Sequence, residues 1–199
     1  KVKVPDSGGC NFSTRNSGPH LTSLKYLGLE VDAKAGFYDV KVKKTAPQQP
    51  IILTERGETL TENVIMAAAG NPAKTIIRNA SFNYMVQDLC LFLIKLGVKI
   101  DGIGTTTLTI TGKKDICKNI DYYPSEDPIE AMIFLAAAIA TKSEITIERA
   151  PIEFLEIELQ TLEGMGFEYQ LSKEYKARNN HTRLVDITTK VSELKAPKD

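Results

Sequence analysis

Tryptophan is absent from this 199-residue sequence, and aromatic residues make up only 7% of it. The core must therefore be built mostly from aliphatic side chains and alanine. The chain also lacks net charge, since 25 Lys and Arg residues balance 25 Asp and Glu residues. A surface for nucleic acid or for an anionic membrane needs an excess of cationic groups, so neither partner is expected.

Cysteine is scarce and irregularly spaced. Cys10, Cys90 and Cys117 form neither an even disulfide framework nor a metal-ligand cluster, which favours a reducing cytoplasm. The longest apolar run, Ala131–Ala140, is too short to span a bilayer. No glycine-rich dinucleotide-binding turn occurs, and we expect neither a metal nor a cofactor. The sequence begins without Met and without an apolar targeting core, so we expect a piece of a longer chain.

An internal repeat organises the sequence. Leu27-Gly28, Leu96-Gly97 and Met165-Gly166 each close a helical pattern and precede an extended one, 69 residues apart (28 to 97 to 166). The segment Thr75–Ala80 matches Ile145–Ala150 at an offset of 70. A period this long exceeds that of common solenoids and predicts a small α/β module as the repeating unit.

Strand and helix patterns alternate within the repeat. The expected helices are Leu21–Leu27, Thr61–Ala69 with Thr59 or Thr61 as its N-cap, Tyr84–Leu96, Ile129–Thr141 and Ile152–Met165. The expected strands are Leu29–Asp32, Phe37–Lys43, Pro50–Thr54, Lys74–Asn79, Val98–Asp101, Thr105–Thr111, Asn119–Tyr123, Glu144–Glu148, Phe167–Leu171 and Arg183–Thr188.

Two helical segments, Val64–Ala69 and Ala131–Ala140, are apolar nearly all round. Such a pattern is typical of a helix enclosed by other elements. The remaining helices are amphipathic, and the strands alternate so that one face can meet water. We therefore predict an α/β fold in which several small sheets surround buried helices.

The segment Asp6–His20 contains the most reactive candidates. Gly8 and Gly9 permit backbone conformations closed to other residues, and they would leave Cys10 on an exposed loop. A nearby cation such as Arg15 would stabilise the thiolate and offer a planar fork for phosphate or carboxylate. The residues alone leave two interpretations open for Cys10, a catalytic thiol or an inert loop residue.

The other polar candidates have simpler interpretations. Cys90 lies in an apolar run and is expected in the core, and His20 is expected at a helix start. Polar residues at the starts of the two apolar helices would satisfy backbone N–H groups, although those groups could also receive an anion. These residues are Glu62, Asn63, Glu126, Asp127 and Glu130.

The sequence resembles the enolpyruvyl transferases, and within them the amino-sugar branch. The resemblance spans Gly8 to Leu171. The motifs that carry it are Gly8-Gly-Cys10 with Arg15, His20-Leu21, Thr61–Ala68, Asn79-Ala80, Asp88-Leu89, Leu96–Ile100, Gly104-Thr105 and the Ile129-Glu130 helix.

The resemblance implies a fold of two inside-out α/β barrels, each made of repeated βαβαββ units with buried apolar helices. Residues 1–20 would then form the catalytic loop and the end of a preceding unit. Residues 21–171 would be the repeated units of one domain, and residues 172–199 would lead toward a second domain.

The resemblance also implies an activity. Enolpyruvate would pass from phosphoenolpyruvate to the 3-hydroxyl of UDP-N-acetylglucosamine with release of phosphate, the first committed step of peptidoglycan precursor synthesis and the target of fosfomycin. Cys10 matches the family's proton donor to the enol carbon, and Arg15 matches the arginine that contacts substrate phosphate. The implied substrate-binding residues are Arg15, Asn16, Ser17, Gly18, Pro19, Arg56, Gly57 and Glu58.

The sequence departs from the family pattern at both substrate segments. The family motif Arg-Pro-Val-Asp-Leu-His corresponds to Arg15–His20, with Gly18 in place of the acidic residue. The family motif Ser-Val-Gly-Ala-Thr corresponds to Gly57–Thr61. Two alternatives therefore stay open: a non-catalytic or divergent paralogue that binds a nucleotide sugar or another phosphorylated ligand, and a transferase with a different acceptor.

Overall fold

The structure is a computed structural model that describes residues 2–5, 17–43 and 50–196. The chain divides into two units, Lys1–Ile120 and Asp121–Asp199, and each is described by itself. The finer division expected at residues 20 and 171 stays a prediction. None of the helices in the described part of the chain is long and apolar enough to cross a bilayer.

Unit 1 alternates strands with helices along most of its length. Its helices are α1 (Gly18–Lys25), α2 (Glu58–Ala69) and α3 (Tyr84–Lys95). Its strands are β1 (Val2–Pro5), β2 (Leu29–Lys34), β3 (Phe37–Val42), β4 (Ile51–Ile52), β5 (Lys74–Arg78), β6 (Lys99–Asp101) and β7 (Thr107–Thr111).

These strands form two sheets. One is antiparallel with the order β1-β3-β2, and the other has the order β4-β5-β7-β6 with only the β4–β5 pair parallel. The second sheet and its helices follow the chain order β4-α2-β5-α3-β6-β7. This is one complete βαβαββ unit, as the resemblance implied.

Unit 2 repeats the later part of this order. It contains α4 (Pro128–Thr141), β8 (Thr146–Pro151), a 3-10 turn at Ile152–Phe154, α5 (Glu156–Gly164), β9 (Tyr169–Leu171), β10 (Tyr175–Lys176) and β11 (Arg183–Thr189). β11 pairs antiparallel with β8, β9 and β10. The β8-β11-β9 arrangement therefore matches the β5-β7-β6 arrangement of unit 1.

The repeat is visible in the backbone dihedral angles. Gly28, Gly97 and Gly166 have φ values of 86°, 96° and 92°, a region that residues with a side chain rarely adopt. The 69-residue period found in the sequence thus corresponds to a helix C-terminus that is followed by a glycine in the left-handed conformation. This feature occurs at all three positions.

The two apolar helices differ in burial. α2 buries Leu60, Val64 and Ile65 in the core of unit 1. α4 buries Ala131, Leu135 and Ala138, but Ile133 is 61% exposed and Phe134 is 49% exposed. The expectation that α4 is enclosed on all sides is therefore wrong for this structure, because a single sheet face covers only one stripe of a helix.

Several expected element boundaries are also wrong. α2 begins at Glu58, three residues before the expected start at Thr61, and its N-cap is Gly57 instead of Thr59 or Thr61. The expected helix Ile152–Met165 is interrupted at Leu155, a buried residue with φ −124°. The expected strand Asn119–Tyr123 does not form, since Pro124 offers no N–H and Tyr123 is exposed. The short strands β1 and β10 were not expected.

Candidate functional site

The residues expected to touch substrate fall into two segments of unit 1. Ser17, Gly18 and Pro19 begin α1, whereas Arg56, Gly57 and Glu58 begin α2. Cys10, Arg15 and Asn16 lie outside the described residues.

α1 begins immediately after the cysteine-containing segment of the sequence. Its N-cap Ser17 makes no side-chain capping bond, and its hydroxyl lies 3.3 Å from the hydroxyl of Tyr38 on β3. Pro19 suits the first turn, where a missing N–H leaves no hydrogen bond unmade. This start is therefore anchored to the β1-β3-β2 sheet through the Ser17 side chain.

His20 links the first turn of α1 to α2. Its Nδ1 lies 2.9 Å from the side-chain amide nitrogen of Asn63. Because the amide nitrogen can only donate, Nδ1 of His20 is the acceptor of this hydrogen bond. The expected role of Asn63 at a helix start is wrong, since α2 begins at Glu58 and the Asn63 side chain bonds His20 instead.

The start of α2 is held by hydrogen bonds to the segment before α3. Glu58 Oε1 accepts a hydrogen bond from Asn83 Nδ2 at 3.3 Å. Thr61, which is fully buried, donates from Oγ1 to the carbonyl of Gly57 at 2.8 Å and accepts from the backbone N–H of Ser81 at 3.0 Å. The Gly57 N-cap has extended backbone and no capping side chain. The first N–H groups of α2 therefore receive no hydrogen bond from a capping side chain at Gly57.

Arg56 is oriented by two neighbours. Its Nε and Nη2 donate to Asn79 Oδ1 at 3.2 and 3.1 Å, and its Cζ lies 5.8 Å from the centre of the Phe82 ring. Asn79 has φ 59°, and its Nδ2 donates to the carbonyl of Leu53 at 3.0 Å. This left-handed residue thus fixes the guanidinium beside the start of α2.

Unit 2 contains a polar cluster that the sequence did not reveal as a group. The Tyr175 hydroxyl donates to Asp186 Oδ1 at 2.6 Å, and the backbone N–H of Arg149 donates to the same oxygen at 3.0 Å. The hydrogen bond from Tyr175 holds the pKa of Asp186 below its ordinary value. The Arg149 guanidinium pairs with Glu126. The signal that could have revealed the cluster is the repeat, which aligns Arg149 with Asn79.

Asp127 behaves as the sequence predicted. Its carboxylate accepts the backbone N–H of Ile129 at 2.8 Å and caps α4. Glu126 does not share this role, because its carboxylate pairs with Arg149.

The two cysteines of the described part differ in environment. Cys90 is fully buried in α3, as predicted, and desolvation raises the pKa of its thiol to about 12. Cys117 is exposed. Among the described residues, no three His, Cys, Asp or Glu side chains gather closely enough to hold a metal ion.

Comparisons with known proteins agree on one family. The family described as EPSP synthase (3-phosphoshikimate 1-carboxyvinyltransferase) matches residues 3–196. A UDP-N-acetylglucosamine 1-carboxyvinyltransferase from Sulfurovum sp. (strain NBC37-1) is 35% identical over 177 residues, which cover 87% of this chain and 41% of that protein. A protein of the same name from Campylobacter hominis is 38% identical over 175 residues, with the same two coverages. The chain therefore spans about 41% of the length of these curated relatives.

Solved structures show the same fold at lower identity. The enolpyruvyl transferase NikO from Streptomyces tendae has a TM-score of 0.72 at 16% identity, over 95% of this chain and 43% of that one. An EPSP synthase from Acinetobacter baumannii has a TM-score of 0.68 at 17% identity, over 98% of this chain and 44% of that one.

Proposed function

This chain belongs to the EPSP synthase family of enolpyruvyl transferases, and on that premise we propose that it is part of a UDP-N-acetylglucosamine 1-carboxyvinyltransferase. The proposed reaction moves enolpyruvate from phosphoenolpyruvate to the 3-hydroxyl of UDP-N-acetylglucosamine and releases phosphate. The names of the relatives at 35% and 38% identity support this choice of acceptor. The complete site is proposed to draw on further residues as well, since this chain spans about 41% of the length of those relatives.

The hydrogen bond between His20 and Asn63 is the observation that carries the proposal. It holds the first turn of α1 beside the second turn of α2. The two segments expected to bind substrate, Ser17–Pro19 and Arg56–Glu58, therefore begin neighbouring helices of one unit.

Cys10 is proposed as the acid of the addition step. Its thiol gives a proton to the methylene carbon of phosphoenolpyruvate, which becomes a methyl group, while the acceptor hydroxyl adds through its oxygen to the neighbouring carbon and releases its own proton to solvent. In the elimination, a proton of that methyl group returns to the Cys10 thiolate as the bond to phosphate breaks, so that phosphate leaves and the double bond is restored. A thiol suits this task because a nearby cation can bring its pKa close to neutrality. Arg15 is proposed to hold the phosphate with two parallel hydrogen bonds.

Phosphate release from the full-length protein tests this proposal. With phosphoenolpyruvate and UDP-N-acetylglucosamine, we expect steady release by the wild type and by Cys117→Ser, whose cysteine is exposed. For Cys10→Ser we expect a rate at least about 100-fold lower, because a hydroxyl is a far weaker acid than a thiol. Equal rates for Cys10→Ser and the wild type would rule out the acid role.

Fosfomycin gives a direct chemical readout of the same thiol. We expect the full-length wild type and Cys117→Ser to gain the mass of one fosfomycin, and Cys10→Ser to gain none. An adduct on Cys10→Ser would show that another residue is the reactive group.

The departures at Gly18 and Gly57–Thr61 favour a second candidate, a transferase or binding protein with another phosphorylated acceptor. A panel of nucleotide sugars separates the possibilities. Turnover with a different sugar would identify another acceptor, whereas binding without turnover by the full-length protein would identify a non-catalytic paralogue. The cytoplasmic location expected from the cysteines stays a prediction.

A further inference from the structure

Unit 2 has an open groove on its surface, between α5 and β9. The groove has a volume of about 530 Å³, and its lining includes Ile157 and Glu163 of α5 and Tyr169 and Leu171 of β9. Ile157 is 76% exposed and Leu171 is 45% exposed. Both sides of the groove therefore offer apolar surface to a partner. We call this feature the α5 groove.

The helical wall of the α5 groove is acidic. Between residues 150 and 172 the sequence contains five Glu residues and no Lys, Arg or His, although the whole chain has no net charge. Glu156 lies 3.4 Å from Arg183. No Lys or Arg of the residues that the structure describes lies within ion-pair distance of Glu163. A partner that fits this groove therefore brings positive charge.

Tyr169 holds the Glu163 carboxylate at the rim of the groove. Its hydroxyl donates to Glu163 Oε1 at 2.6 Å. Burial, together with this hydrogen bond, raises the pKa of Tyr169 to about 12, so the hydroxyl stays a donor at neutral pH. The carboxylate is thus fixed in position while its charge remains available to a cation.

β9 lies at the edge of its sheet. β11 is its partner, and no other strand in the described part of the chain pairs with it. The backbone N–H of Ser172 donates to the carbonyl of Asp186 beside β11. Because successive residues of a strand turn their N–H and C=O groups to opposite sides, Tyr169 and Leu171 turn theirs away from β11. An extended segment can therefore add to this edge and place alternate side chains over the α5 groove.

A second copy of this chain does not suit the α5 groove. A symmetric dimer would bring the same surface of both copies together. Glu156 and Glu163 of one copy would then face the same acidic wall of the other, and like charges across an interface weaken it. The charge therefore favours a different protein as the occupant.

We propose that the α5 groove is a docking site for an extended segment of another protein, in which an apolar residue lies between two Lys or Arg residues, each two positions away. The apolar side chain contacts Ile157 and Leu171, and the backbone pairs with β9. Glu156 and Glu163 lie about 10 Å apart along the helix. Two cations four positions apart in an extended segment, about 13 Å, can reach both. The inference concerns unit 2 alone and does not depend on the proposed function.

Peptide binding to the full-length protein tests the proposal. The probe is a fluorescently labelled peptide, Ser-Lys-Thr-Leu-Thr-Lys-Ser, and the control peptide has Glu in place of both Lys residues. Fluorescence anisotropy measures both affinities. We expect the Lys peptide to bind at least about 10-fold more tightly than the Glu peptide, and added salt to reduce the difference. A wild-type protein that binds neither peptide, or both equally, would overturn the proposal.

Ile157→Asp tests the apolar contact. We expect it to weaken the Lys peptide at least about 10-fold, because a carboxylate replaces apolar surface that the peptide covers. Asp suits the first turn of a helix, so the fold is kept. Val42→Asp is the matched control, since Val42 is 71% exposed on β3, and it should stay within about twofold of the wild type. Tighter binding by Ile157→Asp would show attraction by net charge alone and overturn the groove.

Charge reversal tests the role of Glu163. We expect Glu163→Lys to weaken the Lys peptide about 5- to 10-fold and to bind the Glu peptide more tightly than the wild type does. Glu193→Lys is the matched control, because Glu193 is an exposed carboxylate that pairs with Lys142 outside the groove. Equal effects of the two reversals would show long-range attraction only and overturn the pairing with Glu163.

Hydrogen exchange and sedimentation test the form of the occupant. Bound Lys peptide should slow exchange in residues 168–172, because the outward N–H groups of β9 gain partners. Unchanged exchange there in the bound protein would overturn addition to β9. We expect the wild type and Ile157→Asp to sediment as the same species. A wild-type dimer that Ile157→Asp converts to a monomer would make a second copy the occupant and overturn docking of another protein.

Discussion

Single residues in a left-handed backbone conformation mark the repeat more clearly than any side-chain motif. Asn79 suits that conformation because its short polar side chain is among those that tolerate it. Arg149 occupies the equivalent place without this advantage, and it is held there by the carboxylate of Asp186 at its N–H and by Glu126 at its guanidinium. The repeat therefore conserves a backbone shape across its two copies while the side chain there changes from an amide to a cation.

The buried Cys90 thiol makes the protein less stable as the pH becomes alkaline. Burial raises the pKa of its thiol from 9.0 to about 12. The unfolded chain ionises this thiol above about pH 9 whereas the native protein keeps it protonated, so the contribution is fully present below that pH and is lost as the pH rises toward 12. We expect the free energy of unfolding to fall by about 1.4 kcal/mol per pH unit from this group in that window.

Urea denaturation checks the Cys90 prediction. Wild type and Cys90→Ala are compared at about pH 8 and about pH 10. Cys90→Ala starts less stable because it leaves a small cavity, but it should lose less stability between the two pH values. An identical loss in both proteins would contradict a buried, protonated thiol.

Thr61 supports the start of α2 through one hydroxyl. Thr61→Val keeps the volume but removes the partner of the Ser81 N–H, a buried group at 3.0 Å from Oγ1. We expect the free energy of unfolding to fall by about 1–3 kcal/mol. Thr61→Ser keeps the hydroxyl and should cost less than Thr61→Val in the same denaturation assay, and the reverse order would show that the methyl group matters more than the hydrogen bond.

Gly112, the residue that follows β7, shows how closely the chain after this strand approaches the end of α2. A Cβ at this position would lie 2.3 Å from the carbonyl oxygen of Ala69 and 2.4 Å from those of Ala68 and Asn71. Because all three obstacles are backbone atoms, they cannot move aside as a side chain does. We expect Gly112→Ala to lower the free energy of unfolding by more than about 3 kcal/mol.

Gly164 is the matched control for Gly112. It is the last residue of α5, and a Cβ there would meet no atom within 4 Å. Gly164→Ala should raise the free energy of unfolding by about 0.5–1 kcal/mol, because alanine loses less backbone entropy in a helix. Thermal denaturation of the two variants checks both signs, and a mild effect at Gly112 would contradict the packing of β7 on α2.

The elements that the sequence predicts well are those with long, regular patterns. α3 follows an apolar helical period and ends before Gly97, and β7 alternates Leu108 and Ile110 with threonines. The two-residue strands carry too little pattern to be predicted accurately: β4 was expected as the longer strand Pro50–Thr54, and β10 was not expected. The interruption at Leu155 was missed because it depends on how that side chain packs in the core of unit 2, which a local pattern does not contain.

The repeated α/β units could be predicted from the period of the sequence, but the contacts within the candidate site could not. The offset of 69–70 residues predicted repeated units, and both units contain the same antiparallel strand arrangement. The hydrogen bonds between Arg56 and Asn79 join residues far apart in sequence, and nothing in either local segment indicates the partner. The family resemblance identified the Arg56–Glu58 segment, and only the three-dimensional contacts give Arg56 its orientation.

We propose above that the full-length protein transfers an enolpyruvyl group to a phosphorylated sugar acceptor. The most direct test of this proposal is mass spectrometry of the acceptor after incubation with phosphoenolpyruvate and UDP-N-acetylglucosamine. We expect a product heavier than UDP-N-acetylglucosamine by one enolpyruvyl group, formed together with an equal amount of phosphate, and formed at least about 100-fold more slowly when Cys10 is replaced by serine. An unmodified acceptor and no phosphate release from the intact wild-type protein would contradict it.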